Sequence, residues 1–190
     1  MQQRGKKGNT DDLLAASFKE LLCKAPMEKI TIKDITDKAG VIRPTFYNHF
    51  QDKYELIEWI IKSELLEPIK PLLNAGMIFE AIVLMLNNIS ANSVFYKKAL
   101  KLEGAVTFNQ IAMKCVYEMF MNIINEKSTG KKSKYRWLTP EVISTYYAQS
   151  LCFITEGWIA QGMDDIEPKE MAEAYMYLIT RSMDDILSEL

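Results

Sequence analysis

The chain has 190 residues, of which 48% are hydrophobic and 25% charged, with a formal net charge of −2. Those values belong to a globular chain with one large core or two small ones and exclude a disordered or fibrous protein. The charge is uneven: residues 1–53 carry ten Lys/Arg against seven Asp/Glu, the remainder thirteen against eighteen, so a modestly basic head that can face a polyanion sits on an acidic body. Only eight glycines and six prolines punctuate the chain and no alternating strand pattern stands out, which predicts an all-α fold.

The N-terminal MQQRGKKGNT is polar, with no apolar run behind it, so no signal peptide is expected. Residues 1–9, with Arg4, Lys6 and Lys7, read either as a flexible basic arm that reaches a nucleic-acid backbone or minor groove, or as a plain disordered tail. Thr10 is placed to cap a first helix, with Asp11 and Asp12 at its positive end and Leu14, Phe18, Leu21 and Leu22 on one face. Ala25-Pro26 ends it. Thr31 caps a second helix, and Asp34 makes a variant capping box; Ile32, Ile35 and Ala39 face inward. Gly40 takes the left-handed corner and Val41 plugs it. Arg43 to Phe50 then forms a second short helix, with Pro44 in its first turn and Phe46 and Phe50 pointing inward. Arg43, Thr45, Tyr47, Asn48 and His49 remain on the other faces as hydrogen-bond donors. A helix–turn–helix of this kind suits a major groove.

Asp52 caps the next helix, with Glu55 completing a second capping box. Its apolar run Leu56, Ile57, Trp59, Ile60 and Ile61 joins head to body and ends near Glu67, where Pro68 and Pro71 interrupt. Residues 74–93 read as one buried helix, 93–104 as a short helical segment, and 105–127 as a longer helix. STGKKSKYRW follows, a polar loop whose Lys131, Lys132, Lys134 and Arg136 read as solvated charge ahead of a nucleic-acid contact. Thr139-Pro140-Glu141 starts a helix to Gly162, in which Gly157 allows a close helix approach. Glu167-Pro168 starts the last helix, carried to Leu187 by apolar residues at helical spacing. These two helices are expected to pair antiparallel and, with a twin, to build a four-helix bundle. Tyr147, Leu151, Ile154, Trp158, Tyr175, Leu178, Ser182 and Ile186 are the predicted dimer interface.

Methionines and aromatics crowd the middle helices, as either an adaptable ligand cavity or ordinary core. Phe79, Met85, Phe95, Phe108, Met113, Tyr117 and Phe120 are the candidate pocket residues. Glu103, Asn109 and Glu156 either orient a ligand there or lie on solvated faces. One histidine, His49, leaves no dyad or His-rich zinc site, and H-E-x-x-H, G-x-G-x-x-G and Walker-A patterns are missing, so neither catalysis, nor a metal, nor a cofactor is expected. Cys23, Cys115 and Cys152, odd in number and far apart, read as reduced core residues of a cytoplasmic protein. No run of about eighteen apolar residues, the length a membrane span needs, occurs.

The residues T-x-x-D-I-x-x-x-A-G-V (Thr31 to Val41) and T-F-Y-x-H-F-x-x-K-x-x-L (Thr45 to Leu56) resemble the DNA-binding domain of the TetR family of bacterial transcriptional regulators. The match spans about a quarter of the chain. The G-W-x-x-x-G and P-x-E-M-A patterns of the last two helices resemble that family's C-terminal helices more weakly. One position departs: Ile42 stands where the family usually has a capping Ser or Thr at the start of the recognition helix. The resemblance implies a helix–turn–helix domain over 1–53, a helical effector-binding and dimerisation domain over 54–190, and a nucleoid-associated dimer that represses from a palindromic operator until a small molecule releases it.

Within the head, Arg43 and Pro44 open the recognition helix and are the candidates for base-edge contacts, Arg43 with guanine. By carry-over from the family, Thr45, Tyr47 and His49 hold phosphates; for Tyr47 and His49 the alternative is a surface pair packing on the helix end. Asn48 serves either role, Lys53 adds charge at the next helix start, and Thr31 both caps its helix and touches backbone. Two rival readings stay open: a same-fold regulator controlled by a protein partner, and a helical interaction module that binds no DNA.

Overall fold

The computed structural model describes residues 3–102, 106–127 and 133–189, with the side chains of the first helix from Thr10 onward. Among the described residues every regular element is helical. Glu103, Lys131, Lys132, the expected helix boundary at Gly104–Ala105 and the side chains of Arg4, Lys6 and Lys7 lie outside that set.

The head consists of α1 (Gln3–Leu22), a 3₁₀ turn (Met27–Lys29), α2 (Ile32–Ala39) and α3 (Arg43–Tyr47). The helix α1 begins at Gln3, so Thr10 lies inside it and the arm expected to be flexible is helical there. No proline separates Gln3 from Thr10, and turns anchored by the buried Leu14 and Phe18 extend backwards through Gly8 and Gly5 against their low helix propensity. The predicted capping box on α2 is present: Thr31 Oγ1 accepts from Asp34 N–H at 3.1 Å while the Asp34 carboxylate accepts from Thr31 N–H at 2.8 Å. Gly40 sits at φ +69°, and Val41 N–H returns to Thr36 O at 3.0 Å, closing the corner. Leu14, Phe18, Ile35, Phe46 and Phe50 are buried together beneath it. The helix α3 ends at Tyr47 instead of Phe50; a turn at 48–49 still delivers Phe50 to the core.

Asp52 caps α4 (Lys53–Ile60), its carboxylate accepting from Tyr54 and Glu55 N–H. Glu55 reaches back to Gln51 N–H, so the second box is displaced by one residue. The predicted interruption at the prolines does not occur. Instead α4 continues as a π-helical segment (Ile61–Leu66) and then as α5 (Glu67–Asn74), with Pro68 in the first turn and Pro71 inside. The wider register moves donors past carbonyls that a proline cannot serve: Glu67 N–H donates to Lys62 O, and Glu64 O accepts from Asn88 Nδ2 at 3.0 Å.

The body continues through α6 (Ile78–Ala91), α7 (Ser93–Ala99), α8 (Phe108–Lys127), α9 (Pro140–Ala160), α10 (Pro168–Thr180) and α11 (Met183–Ser188). Among the described residues no single helix is long and apolar enough to cross a membrane; α6 and α7 together are, but they bend by 87°. The predicted last helix breaks at Arg181, and Ser182 restarts the chain with a capping box to Asp185. The expected antiparallel pairing is also different. The helix α9 lies along α8 and α10 lies on α6, while α9 and α10 touch each other only lightly. The loop between them is pinned by Trp158, whose indole N–H donates to Ile166 O at 2.9 Å. A single core runs from Leu14 in α1 to Tyr175 in α10, with α4 threading head to body.

Candidate nucleic-acid interface

Packing from below fixes α3. Phe46 is buried, with its ring centroid 5.8 Å from that of Phe50, and Thr45 N–H donates to Ile42 O at 2.9 Å to start the first turn. What remains outside is a continuous face of Ile42, Arg43, Pro44, Tyr47 and Asn48, all exposed, with Thr45 half-buried. The Arg43 guanidinium lies 5.5 Å from the centre of the Tyr47 ring and donates to the Tyr47 hydroxyl at 3.0 Å. This stack holds a forked donor at the surface without burying it. Thr31 is exposed beside α2, with its hydroxyl already committed to Asp34 at 2.7 Å.

Two predicted contacts point elsewhere. His49 Nδ1 lies 2.5 Å from Asp11 Oδ1 and only 12% of its side chain is exposed, so it ties the end of α3 to α1. Lys53 Nζ donates to Met27 O at 2.7 Å and Ile30 O at 2.6 Å, stapling α4 to the 3₁₀ turn ahead of α2. Burial holds its ammonium below the ordinary lysine range. Both side chains are engaged within the head, His49 on α1 and Lys53 on the 3₁₀ turn.

Head and body meet through ion pairs. Lys19 of α1 donates to both carboxylate oxygens of Glu64, at 3.0 and 2.7 Å, with its ammonium 5.8 Å from the centre of the Phe95 ring. Glu58 of α4 accepts from Lys62 at 2.6 Å and from Lys114 of α8 at 2.8 Å. Partial burial pushes the Glu58 carboxyl up, but the two lysine hydrogen bonds outweigh it and hold it below the usual range.

The candidate pocket residues do not converge. Met85 and Phe108 line a small cavity of about 50 Å³ against the π segment, where the Tyr96 and Thr155 hydroxyls have no hydrogen-bond partner among the described residues. Phe95 instead faces a cleft between α1 and α7. Phe79, Met113, Tyr117 and Phe120 are half-buried and line neither space; Phe120 packs on Tyr147 at 5.9 Å between ring centroids. Asn109 and Glu156 hydrogen-bond to each other across α8 and α9. All three cysteines are free thiols, and burial pushes Cys115 and Cys152 up to about 12.

The predicted dimer stripe is mostly internal. Leu151, Trp158 and Tyr175 are buried within the protomer; Tyr147, Ile154 and Ile186 are half-buried, Ser182 caps α11, and Leu178 is exposed. The outward apolar face of α9 is the one carrying Tyr146 and Phe153, with Phe153 76% exposed. Trp137 and Leu138 extend it around a groove of about 740 Å³. A Cβ at Gly157 meets nothing within 4 Å, so this glycine permits no close approach inside the protomer. The sequence marked Ile42 only as a missing cap and did not place Tyr146 or Phe153 in the interface, because an exposed apolar residue carries no periodic signal of its own.

Residues 13–60 match the family model for bacterial regulatory proteins of the tetR family, and residues 77–181 match a model described as transcriptional regulator C-terminal region. The second match alone spans more than half of the 190 residues, and the chain belongs to the TetR family of bacterial transcriptional regulators. It is 28% identical over 155 residues to the HTH-type dhaKLM operon transcriptional activator DhaS of Lactococcus lactis subsp. lactis (strain IL1403), covering 80% of this chain and 81% of that protein. The fold superposes on a structure of the dihydroxyacetone kinase operon activator DhaS with a TM-score of 0.60 at 23% identity, over 95% of each chain. It also superposes on NalD, the secondary repressor of the MexAB-OprM multidrug efflux pump in Pseudomonas aeruginosa, with a TM-score of 0.59 at 14% identity, over 92% of this chain and 95% of that one.

Proposed function

We propose that this regulator acts in the cytoplasm as a homodimer on a palindromic DNA operator, one α3 helix in each of two successive major grooves about 34–36 Å apart. The observation that carries the reading is the exposed α3 face, Arg43, Pro44, Tyr47 and Asn48, on a head in which His49 and Lys53 tie α3 and α4 to their neighbours. Arg43 and Asn48 read bases, Thr31, Thr45 and Tyr47 contact phosphates, and His49 and Lys53 are positioning residues. The second copy packs on the outward face of α9 and α10 at Tyr146, Phe153 and Leu178.

Occupancy of the operator is proposed to repress, with an effector on the body releasing it through α4. The name of DhaS supports activation as the second sign, and transcription from an operator-bearing template with and without the protein distinguishes the two. Small-molecule sites run from about 300 to 1,000 Å³, a range that the cavity of about 50 Å³ beside the π segment does not reach but the cleft of about 430 Å³ between α1 and α7 does. A protein partner acting on the body in place of a small ligand is the second reading. The test of the central reading is selection of bound duplexes from a random pool, followed by titration at two salt concentrations. A palindrome bound by two chains with steep salt dependence supports it; no enrichment over bulk DNA overturns it.

A further inference from the structure

Ile42 is 69% exposed at the start of α3 and lies outside the buried core of the protomer. Its backbone is extended, with φ −85° and ψ 153°, and no side-chain bond caps the helix. The carbonyl that accepts Thr45 N–H at 2.9 Å is one any residue supplies. Next to it stand the exposed Arg43 and the exposed Pro44. The reading helix therefore opens with two apolar groups flanking a guanidinium, at the end of the helix that approaches base edges. Among the base-pair edges in a major groove, only thymine offers an apolar group, its C5 methyl. A β-branched side chain is stiff about χ1, so ordering it against such a methyl costs little entropy.

We infer that Ile42 is a specificity-determining residue that reads thymine through the C5 methyl, beside the guanine taken by Arg43. The operator half-site then holds a thymine within one or two base pairs of that guanine, and the missing cap is the cost of the readout. This rests on the DNA-binding reading above, and one experiment separates the two. The full chain is titrated against its selected operator and against duplexes in which each thymidine of one half-site is replaced in turn by deoxyuridine, which lacks only the methyl.

Wild type is expected to lose about fourfold in affinity at one position, the worth of one buried methyl group. Ile42→Ser is expected to bind thymine and uracil duplexes equally at that position, with an unchanged or raised melting temperature because serine restores a cap. Equal affinity of wild type for every uracil duplex, or discrimination retained by Ile42→Ser, overturns the inference while leaving DNA binding intact. Failure of wild type to enrich any duplex overturns both.

Discussion

Lys53 carries its charge into the protein. Its ammonium donates to the Met27 and Ile30 carbonyls, at the start and the C-cap of the 3₁₀ turn, and so staples α4 to it. Lys53→Met is expected to lower stability in urea by about 1 kcal/mol, because it leaves the Ile30 carbonyl without its donor while Met27 O keeps the N–H of Ile30. The slope of log affinity against log salt is expected to stay at the wild-type value, whereas loss of a phosphate contact reduces it by about one. Glu58 carries a pH signature. Its carboxyl is held below the usual range, so its ion pairs stabilise the fold fully above the unfolded carboxylate value of about 4.3. That contribution is lost as the pH falls through the lower folded value. The melting temperature of wild type should therefore drop more steeply between about pH 5 and 3 than that of Glu58→Gln. Parallel curves for the two proteins exclude the linkage.

The π segment shows at the element scale how the chain passes two prolines without breaking. Pro68 has no N–H to offer Glu64 O four residues back, and Asn88 of α6 supplies the donor instead. Asn88→Ala is expected to cost about 1–2 kcal/mol in the wild-type background. In a Pro68→Ala background, where residue 68 regains its N–H, the same change should cost less, and the double-mutant cycle measures the difference. Additive effects would mean that Asn88 does not stand in for the proline. The same segment carries Glu64 toward Lys19 of the head and Ile61, Leu65 and Leu66 toward the small cavity, so it adds one ion pair to the contacts that α4 and α7 make between body and head.

At the scale of the whole molecule, the light contact between α9 and α10 leaves both with an outward face. On α9 that face is Tyr146 and Phe153, and on α10 it includes Leu178. Phe153→Glu should leave helix content unchanged, since the side chain packs on nothing within the protomer. It should shift the sedimentation coefficient from dimer to monomer and weaken operator binding at least about tenfold, as expected for a charge placed in an interface core. A variant that remains dimeric places the interface on another face.

Much of the head was legible in the sequence because its determinants are local. A capping box, a glycine corner and aromatics four residues apart each act over one or two turns, and Thr31, Asp34, Gly40, Phe46 and Phe50 stand where those rules put them. The all-helical class followed from the same short-range chemistry. What only the tertiary structure decided was direction. His49 and Lys53 are donors in the sequence, and the position of α1 and the 3₁₀ turn determines that they point inward. On α9, Tyr146, Tyr147, Leu151, Phe153, Ile154 and Trp158 surround the helix with apolar side chains, so periodicity cannot tell core from interface. The packing of α8 against one side of it made that choice, burying Leu151 and leaving Phe153 outside.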